Sequence, residues 1–381
     1  MRAALASFCL AASVVLSGSL AFAQTVNVAP DTARFADHTP TSNIAVDHSG
    51  WTTILRGVVL NVPPMDRFPE RRRPVITGTR INTANTSRYR FEGNRVLYHI
   101  MPDDYRDGIT TVREDLERLP EQIDGLANLS RDEQLAYWFN LHNVALVERI
   151  LAEYPVTDIR RLRNGRNGAP GLFDERFLQV EGQTLSLNDI RLRIVYANWD
   201  DPRVLYGFIN GSIGSPELRR TAFQGDMVWR QLDASADEFV NALRGVDLGN
   251  RYMRVSHVYD EARSLFPDFD RDLRTHLRAY ATGDTIRQLT GNRPIRATVA
   301  DWQIADMING SFRCTGVGGA TPMISYGNVQ GDSGIVSTCG VMPTNARVLM
   351  SAVRERRLEL FQEGRYGEVF THDLPTDPDS D

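Results

Sequence analysis

The stretch SRDEQLAYWFNLHNVALVERILAEY, Ser130 to Tyr154, decides the fold. Ser130 can cap a helix and Glu133 stands at the third helical position, which is the arrangement of a capping box, while Pro155 forbids continuation past Tyr154. Between these limits Leu135, Trp138, Phe139, Leu141, Ala145, Leu146, Ile150 and Leu151 cover most of the circumference. The helix is therefore expected at the centre of the fold rather than on its surface. Asn140, His142 and Asn143 ride through its middle. A buried amide without partners costs on the order of 1–3 kcal/mol, so Asn140 and Asn143 are expected to hydrogen-bond neighbouring loops or a ligand.

Upstream, Trp51, Ile54, Leu55 and Val58 recur at helical spacing behind an Asp47 or Ser49 cap. Residues 61–90 break into Pro, Arg, Thr and Asn, with Arg71, Arg72 and Arg73 in a row, and read as an insertion loop with a solvated charge run. Arg95–Ile100 reads as a short strand and Thr110–Leu126 as an amphipathic helix that Pro120 should kink or split. Downstream, Phe177–Val180 and Thr184–Ser186 flank a turn and predict a hairpin. Val204–Ile209 reads as a buried strand ending in the loop Asn210-Gly-Ser-Ile-Gly-Ser-Pro216. Such a loop tolerates unusual backbone angles, and exposed amides and hydroxyls at the end of a strand are a usual place for a site. Helices are expected over Asp233–Leu243, Ser256–Phe266, Asp268–Ala281 and Asn345–Gln362, and a strand over Met253–Val255.

The first residues are Arg2, an apolar run from Ala3 to Leu20, and Ala21-Phe22-Ala23 before Gln24. That pattern predicts a secretory leader cleaved after Ala23 and a soluble periplasmic or secreted product. No later apolar run approaches the roughly 18 residues of a membrane span. Loss of Arg2 moves the formal charge from −5 to −6, which argues against a nucleic-acid or anionic-lipid partner. All 43 basic residues are arginine, so Schiff-base chemistry, a lysine base and a phosphate-binding P-loop are excluded. Only Cys314 and Cys339 lie beyond the leader, and in an oxidising compartment they are expected to form one disulfide, with a thiol nucleophile the alternative. The expected organisation is a leader 1–23, a flexible segment 24–45, a core 46–290, a disulfide-containing appendage 291–370 and an acidic tail 371–381.

Several stretches taken together resemble the family catalogued as domain of unknown function 547. They are HSGWTTIL from His48, LAYWFNLHNVAL from Leu135, EYPVTDIRRL from Glu153, LSLNDI from Leu185, DPRVLYGFINGSIGSPELR from Asp201 and the region from Gln231 to Leu243. They are collinear over about residues 46–281, and it is their order rather than any one motif that is specific. The resemblance implies no reaction, cofactor or substrate. In the family pattern a histidine falls at Leu205, two cysteines fall at Asn210 and Ser215, and an acidic residue and a histidine fall at Arg191 and Leu192. A thiol mechanism carried over from such positions has lost its groups in this chain.

Ser212 and Ser215 remain as nucleophile candidates, with His142 as the base best placed by motif. A serine nucleophile needs a base within hydrogen-bond reach and a third group orienting it. Successive helix residues turn by about 100°, so His142 and the pair Asn140/Asn143 cannot all face one pocket. The order Gly211-Ser212-Ile213-Gly214 is also not a nucleophile elbow. Histidine spacing offers no zinc motif, and no cofactor is expected. Arg203 beside Asp201 reads as a structural pair at a strand entrance, with clamping of an anionic ligand the alternative. The sequence thus predicts an α+β fold, a modest sheet against a central buried helix, with a polar seam between Asn140/Asn143 and the Asn210–Ser215 loop. Two functions follow from it: a protein that binds a small molecule or a partner through Asn140, Asn143, Arg203, Asn210, Ser212 and Ser215, or a hydrolase using Ser212 or Ser215. A histidine beside a serine hydroxyl (His142, His257 or His99) separates them.

Overall fold

The structure, a computed structural model, describes residues 29–65, 87–165, 168–248, 251–290, 293–310, 325–329, 332–336 and 344–364. Cys314, Cys339 and the Arg71–Arg73 run lie outside these residues.

The chain opens with helix α1 (Ser49–Val58) and the short strands β1 (Val59–Leu60) and β2 (Arg95–Val96), which pair antiparallel. Two long helices follow, α2 (Asp103–Gln122) and α3 (Arg131–Glu153), then α4 (Arg160–Arg163) and the hairpin β3 (Leu178–Val180) and β4 (Gln183–Leu185). A π-helical stretch, Asp189–Val195, runs into α5 (Tyr196–Asn198), and a 3-10 helix, Pro202–Gly207, precedes α6 (Val228–Asn241). Strand β5 (Val246–Leu248) pairs antiparallel with β6 (Met253–Ser256), which is followed by α7 (His257–Glu261), α8 (Phe269–Tyr280) and α9 (Gly283–Leu289). Strand β7 (Ile295–Val299) then adds parallel to β6. A hairpin of β8 (Ser325–Val329) and β9 (Asp332–Val336) and helix α10 (Thr344–Gln362) complete the order. Small sheets against many helices make the fold α+β.

Helix α3 is the centre, as its sequence requires. Every residue from Gln134 to Val147 is buried, so the helix has no solvent face along its middle. Ser130 Oγ accepts the Glu133 amide at 3.2 Å. The reciprocal half of the capping box is not made, because Glu133 turns outward and accepts the Val46 amide at 3.4 Å. Tyr137 ties α3 to α2 by donating its hydroxyl to Leu116 O at 3.0 Å. Residues 24–45, expected to be flexible on composition, contain a 3-10 turn, Ala33–Ala36, whose buried Phe35 meets the Trp138 ring edge-on at 5.1 Å.

Several elements differ from the expectation. Helix α2 starts at Asp103 rather than Thr110, because Pro102 precedes it and Asp103 and Asp104 occupy the first turn, where negative charge suits the helix dipole. Pro120 lies close enough to the end that α2 neither splits nor stops there. Arg95–Ile100 is a two-residue strand and then a 3-10 turn over Tyr98–Ile100. The hairpin forms as expected, with Glu181 and Gly182 at φ 48° and 74°, the positive pair that a tight two-residue turn needs. Val204–Ile209 is not a strand. Asp201 caps a 3-10 helix by accepting the Arg203 amide at 2.9 Å, and Pro202 supplies the first helical φ. A short apolar run does not by itself distinguish strand from helix, and here the cap decides.

Candidate functional site

The two asparagines of α3 are spent on main chain. Asn140 donates Nδ2–H to Phe223 O at 2.9 Å and accepts the Phe223 amide at 3.0 Å. Asn143 donates to Gly207 O at 2.9 Å and accepts the Ile209 amide at 3.3 Å. Each side chain therefore does for an irregular segment what a neighbouring strand does in a sheet: it takes one carbonyl and one amide. The seam expected between Asn140/Asn143 and the Asn210–Ser215 loop is not made directly: the two side chains grip segments on either side of the loop rather than the loop itself.

The loop closes on itself and on a later segment. Asn210 Oδ1 accepts both the Ser212 amide at 2.9 Å and the Ser212 hydroxyl at 2.6 Å. Ser215 Oγ meets Ser212 O at 3.0 Å and Pro216 O at 2.9 Å. The backbone is zipped to residues 301–305, with Ile213 N to Gln303 O at 2.8 Å, Gly214 N to Asp301 O at 2.9 Å and Ala305 N to Gly211 O at 2.9 Å. Ser212 and Ser215 are both buried.

None of the three histidines named as bases hydrogen-bonds either serine among the described residues. His142 Nδ1–H donates to Asn143 Oδ1 at 3.1 Å, and its ring meets Phe208 edge-on at 4.8 Å. This leaves Nε2, the nitrogen a base would use, buried without a partner. His257 Nδ1 lies 3.3 Å from Val299 O and its ring lies over Trp302 at 4.3 Å. His99 Nδ1 lies 3.3 Å from Asp306. Arg203 forks onto Asp201, 3.0 Å from Nε and 2.6 Å from Nη2, reaches Asp233 at 3.1 Å and covers the Trp229 ring at 4.6 Å. It is a structural pair at a helix entrance, not a strand entrance, and does not join the loop.

Burial pushes the His142 imidazole down to about 3, and those of His48 and His276 down to about 4. All three are neutral in the folded protein at pH 7, whereas the unfolded chain takes up these protons near pH 6.5. The unfolded state then binds more protons below pH 6.5, so stability present above that value is lost as pH falls toward 4 and then 3. Each histidine contributes up to about 1.4 kcal/mol per pH unit in that window. Imidazole NMR of the folded protein is expected to show the His142, His48 and His276 rings still neutral at pH 5.5; a ring that protonates near pH 6.5 in the folded protein would contradict the neutral assignment.

Sequence reasoning missed a second cluster, beside the loop. Arg244 is fully buried, donates Nε–H to Ser215 O at 3.2 Å and pairs through Nη2 with Glu238, while Nη1 has no partner. Glu92 accepts the amides of Leu243 at 2.8 Å and Arg244 at 2.9 Å, and Glu217 accepts the Asn94 amide at 3.0 Å. Gly93 lies so close over the guanidinium that a Cβ there would stand 3.1 Å from Cζ, and its φ is +75°. Two cavities share Gly93 and Arg244 in their walls. One, of about 20 Å³, also touches Ser212, Ser215 and Glu217. The other, of about 400 Å³, is bounded by Glu92, Asp237, Glu238, Arg356 and the N-terminal end of α9. An isolated arginine after a helix reads as surface from sequence, and the only signal against that was Gly245 next to it, where a Cβ would stand 1.8 Å from Phe239 O.

Residues 126–240 match the family described as Protein of unknown function, DUF547. The DUF547 match begins at the turn before α3 and ends within α6, so it contains Asn140, His142, Asn143, Arg203 and the whole loop. It is narrower than the collinear resemblance over about 46–281. Glu92, Gly93 and Arg244 lie outside the DUF547 stretch, while Asp237 and Glu238 lie inside it. No curated protein and no solved structure matches the chain. Among the described residues no helix is long and apolar enough to cross a membrane, and no group of His, Cys, Asp and Glu is placed to hold a metal ion.

Proposed function

We propose that the chain is an exported binding protein for a small molecule, in which the loop that carries cysteines in the family pattern has become a structural support. Export rests on the leader at residues 1–23. The observation that carries the binding reading is the fate of the two hydroxyls: Ser212 Oγ ends on Asn210 and Ser215 Oγ on main-chain carbonyls, with no imidazole at either among the described residues. A hydroxyl donated to a carbonyl and lacking a base is not an activated nucleophile. The cavity of about 400 Å³, which shares Gly93 and Arg244 with the small one at the loop, falls within the roughly 300–1,000 Å³ of small-molecule sites and mixes charged with apolar walls.

The alternative, a serine-dependent hydrolase, requires Ser212 or Ser215 to react. Incubation of the mature protein with a fluorophosphonate probe, alongside Ser212→Ala and Ser215→Ala, distinguishes the two. No labelling of folded wild-type protein is expected. Labelling that disappears in one variant would establish a nucleophile and remove the binding-only reading.

A further inference from the structure

Three carboxylates surround one guanidinium beside the 210–215 loop. Arg244 is fully enclosed, and Glu92, Glu217 and Glu238 all bear on its charge. Two of the three have strong partners. Glu238 pairs with Nη2, and Glu92 accepts the amides of Leu243 and Arg244 at 2.8 Å and 2.9 Å. Glu217 has a single hydrogen bond, from the Asn94 amide at 3.0 Å, and no ion pair among the described residues. The other cations near it are occupied: Arg219 donates to Gln231 O and to Ser235 Oγ, each at 3.2 Å, and Arg95 donates to the carbonyls of Arg90, Glu92, Gly93 and Asn94.

A half-buried carboxylate that stands beside another carboxylate, with no cation of its own, is more stable protonated than charged. Burial first and the Glu238 charge second push the Glu217 carboxyl up to about 8, so at neutral pH it is mostly in its O–H form. Ser215 lies two residues earlier and is tied to the same arginine, since Arg244 Nε–H donates to Ser215 O at 3.2 Å. Ser215, Glu217 and Arg244 line the small cavity of about 20 Å³, and Arg244 Nη1 has no partner. Neutral Glu217 leaves that donor idle. Ionised Glu217 needs to cross only the space of about one water to meet it, and a guanidinium drawn toward the new partner pulls Nε away from Ser215 O.

We propose that Glu217 is a proton-operated latch on the 210–215 loop: protonated, it leaves Arg244 on Ser215 O and the loop held; ionised, it competes for Arg244 and loosens that hold. The device is independent of what the protein binds. A carboxyl raised in the folded protein adds stability that is complete below 4.5, its ordinary value, and is lost as pH rises through about 8.

Glu217→Gln keeps an acceptor for the Asn94 amide and cannot ionise. Urea unfolding of the full mature chain is expected to give equal midpoints for wild type and Glu217→Gln at pH 5, and a wild-type midpoint at least about 0.5 M lower at pH 8.5. In the native state without urea, the amide NMR signals of Ile213, Gly214 and Ser215 are expected to shift between pH 6 and pH 9 in wild type and to stay in place in Glu217→Gln. A constant difference between the two proteins across this range, or none, overturns the proposal. Shifts limited to Asn94, the direct partner, with the loop signals unmoved, keep a raised acid and overturn the latch. The carboxyl carbon of Glu217, followed by NMR in wild type, decides the protonation without a variant: titration in the ordinary carboxylate range overturns the proposal.

Discussion

Arg244→Met is expected to lower the unfolding free energy by about 3–5 kcal/mol, the cost of leaving buried charge uncompensated. The side chain is fully enclosed, and its charge faces Glu92, Glu217 and Glu238 together. Burial and the neighbouring Glu238 push the Glu217 carboxyl up, so this group already resists ionisation with the arginine present. Without the arginine Glu238 loses its pair, Ser215 O loses the Nε donor at 3.2 Å, and the Gly93 backbone loses the face it packs on. Urea unfolding gives the number. The double variant Arg244→Met/Glu238→Met separates charge from packing: recovery of at least about half the loss is expected, because replacing a whole buried pair by apolar groups is often near neutral. A single variant within about 1 kcal/mol of wild type would mean that the cluster is solvated.

Asn143→Ala is expected to cost about 3–5 kcal/mol for a different reason. Three groups lose their partner at once: Gly207 O, the Ile209 amide and His142 Nδ1–H. Each buried group left unsatisfied costs about 1–3 kcal/mol, and Asn143 is itself buried, so water cannot replace the amide. Arg203→Ala serves as the contrast. Its fork onto Asp201 is partly exposed, where ion pairs contribute about 0–1 kcal/mol, and a loss near 1 kcal/mol is expected. Thermal or urea denaturation of the two variants, side by side, checks the ranking. Similar losses would remove the distinction between a buried clamp and a surface pair.

The part of this legible in the sequence was the part governed by local rules. Ser130 and Pro155 bound α3 because a cap and a missing amide act on their neighbours, and the apolar circumference implies burial whatever surrounds it. The need of Asn140 and Asn143 for partners was readable from the same burial argument. Which partners they take was not, because Phe223 and Gly207 are more than sixty positions away. Val204–Ile209 was misread for a related reason: an apolar run fits a strand or a helix, and the deciding contacts are the Asp201 cap and the Asn143 clamp. The Arg244 cluster left almost no local trace. Glu92, Glu217, Glu238 and Arg244 are each ordinary charged residues in sequence, and only the fold brings them together and encloses them.

The bonds of Asn140 and Asn143 imply that the polar residues of α3 hold the chain together rather than wait for a substrate. Native-state hydrogen exchange at the Ile209 and Phe223 amides tests it most directly. These amides are bound at 3.3 Å and 3.0 Å to Asn143 and Asn140 inside the core, so they are predicted to exchange only through global unfolding, with protection equal to the full unfolding free energy. Fast exchange at both, several kcal/mol below the global value, would mean that the segments around the 210–215 loop open in the native state, as a working site does, and would contradict the claim.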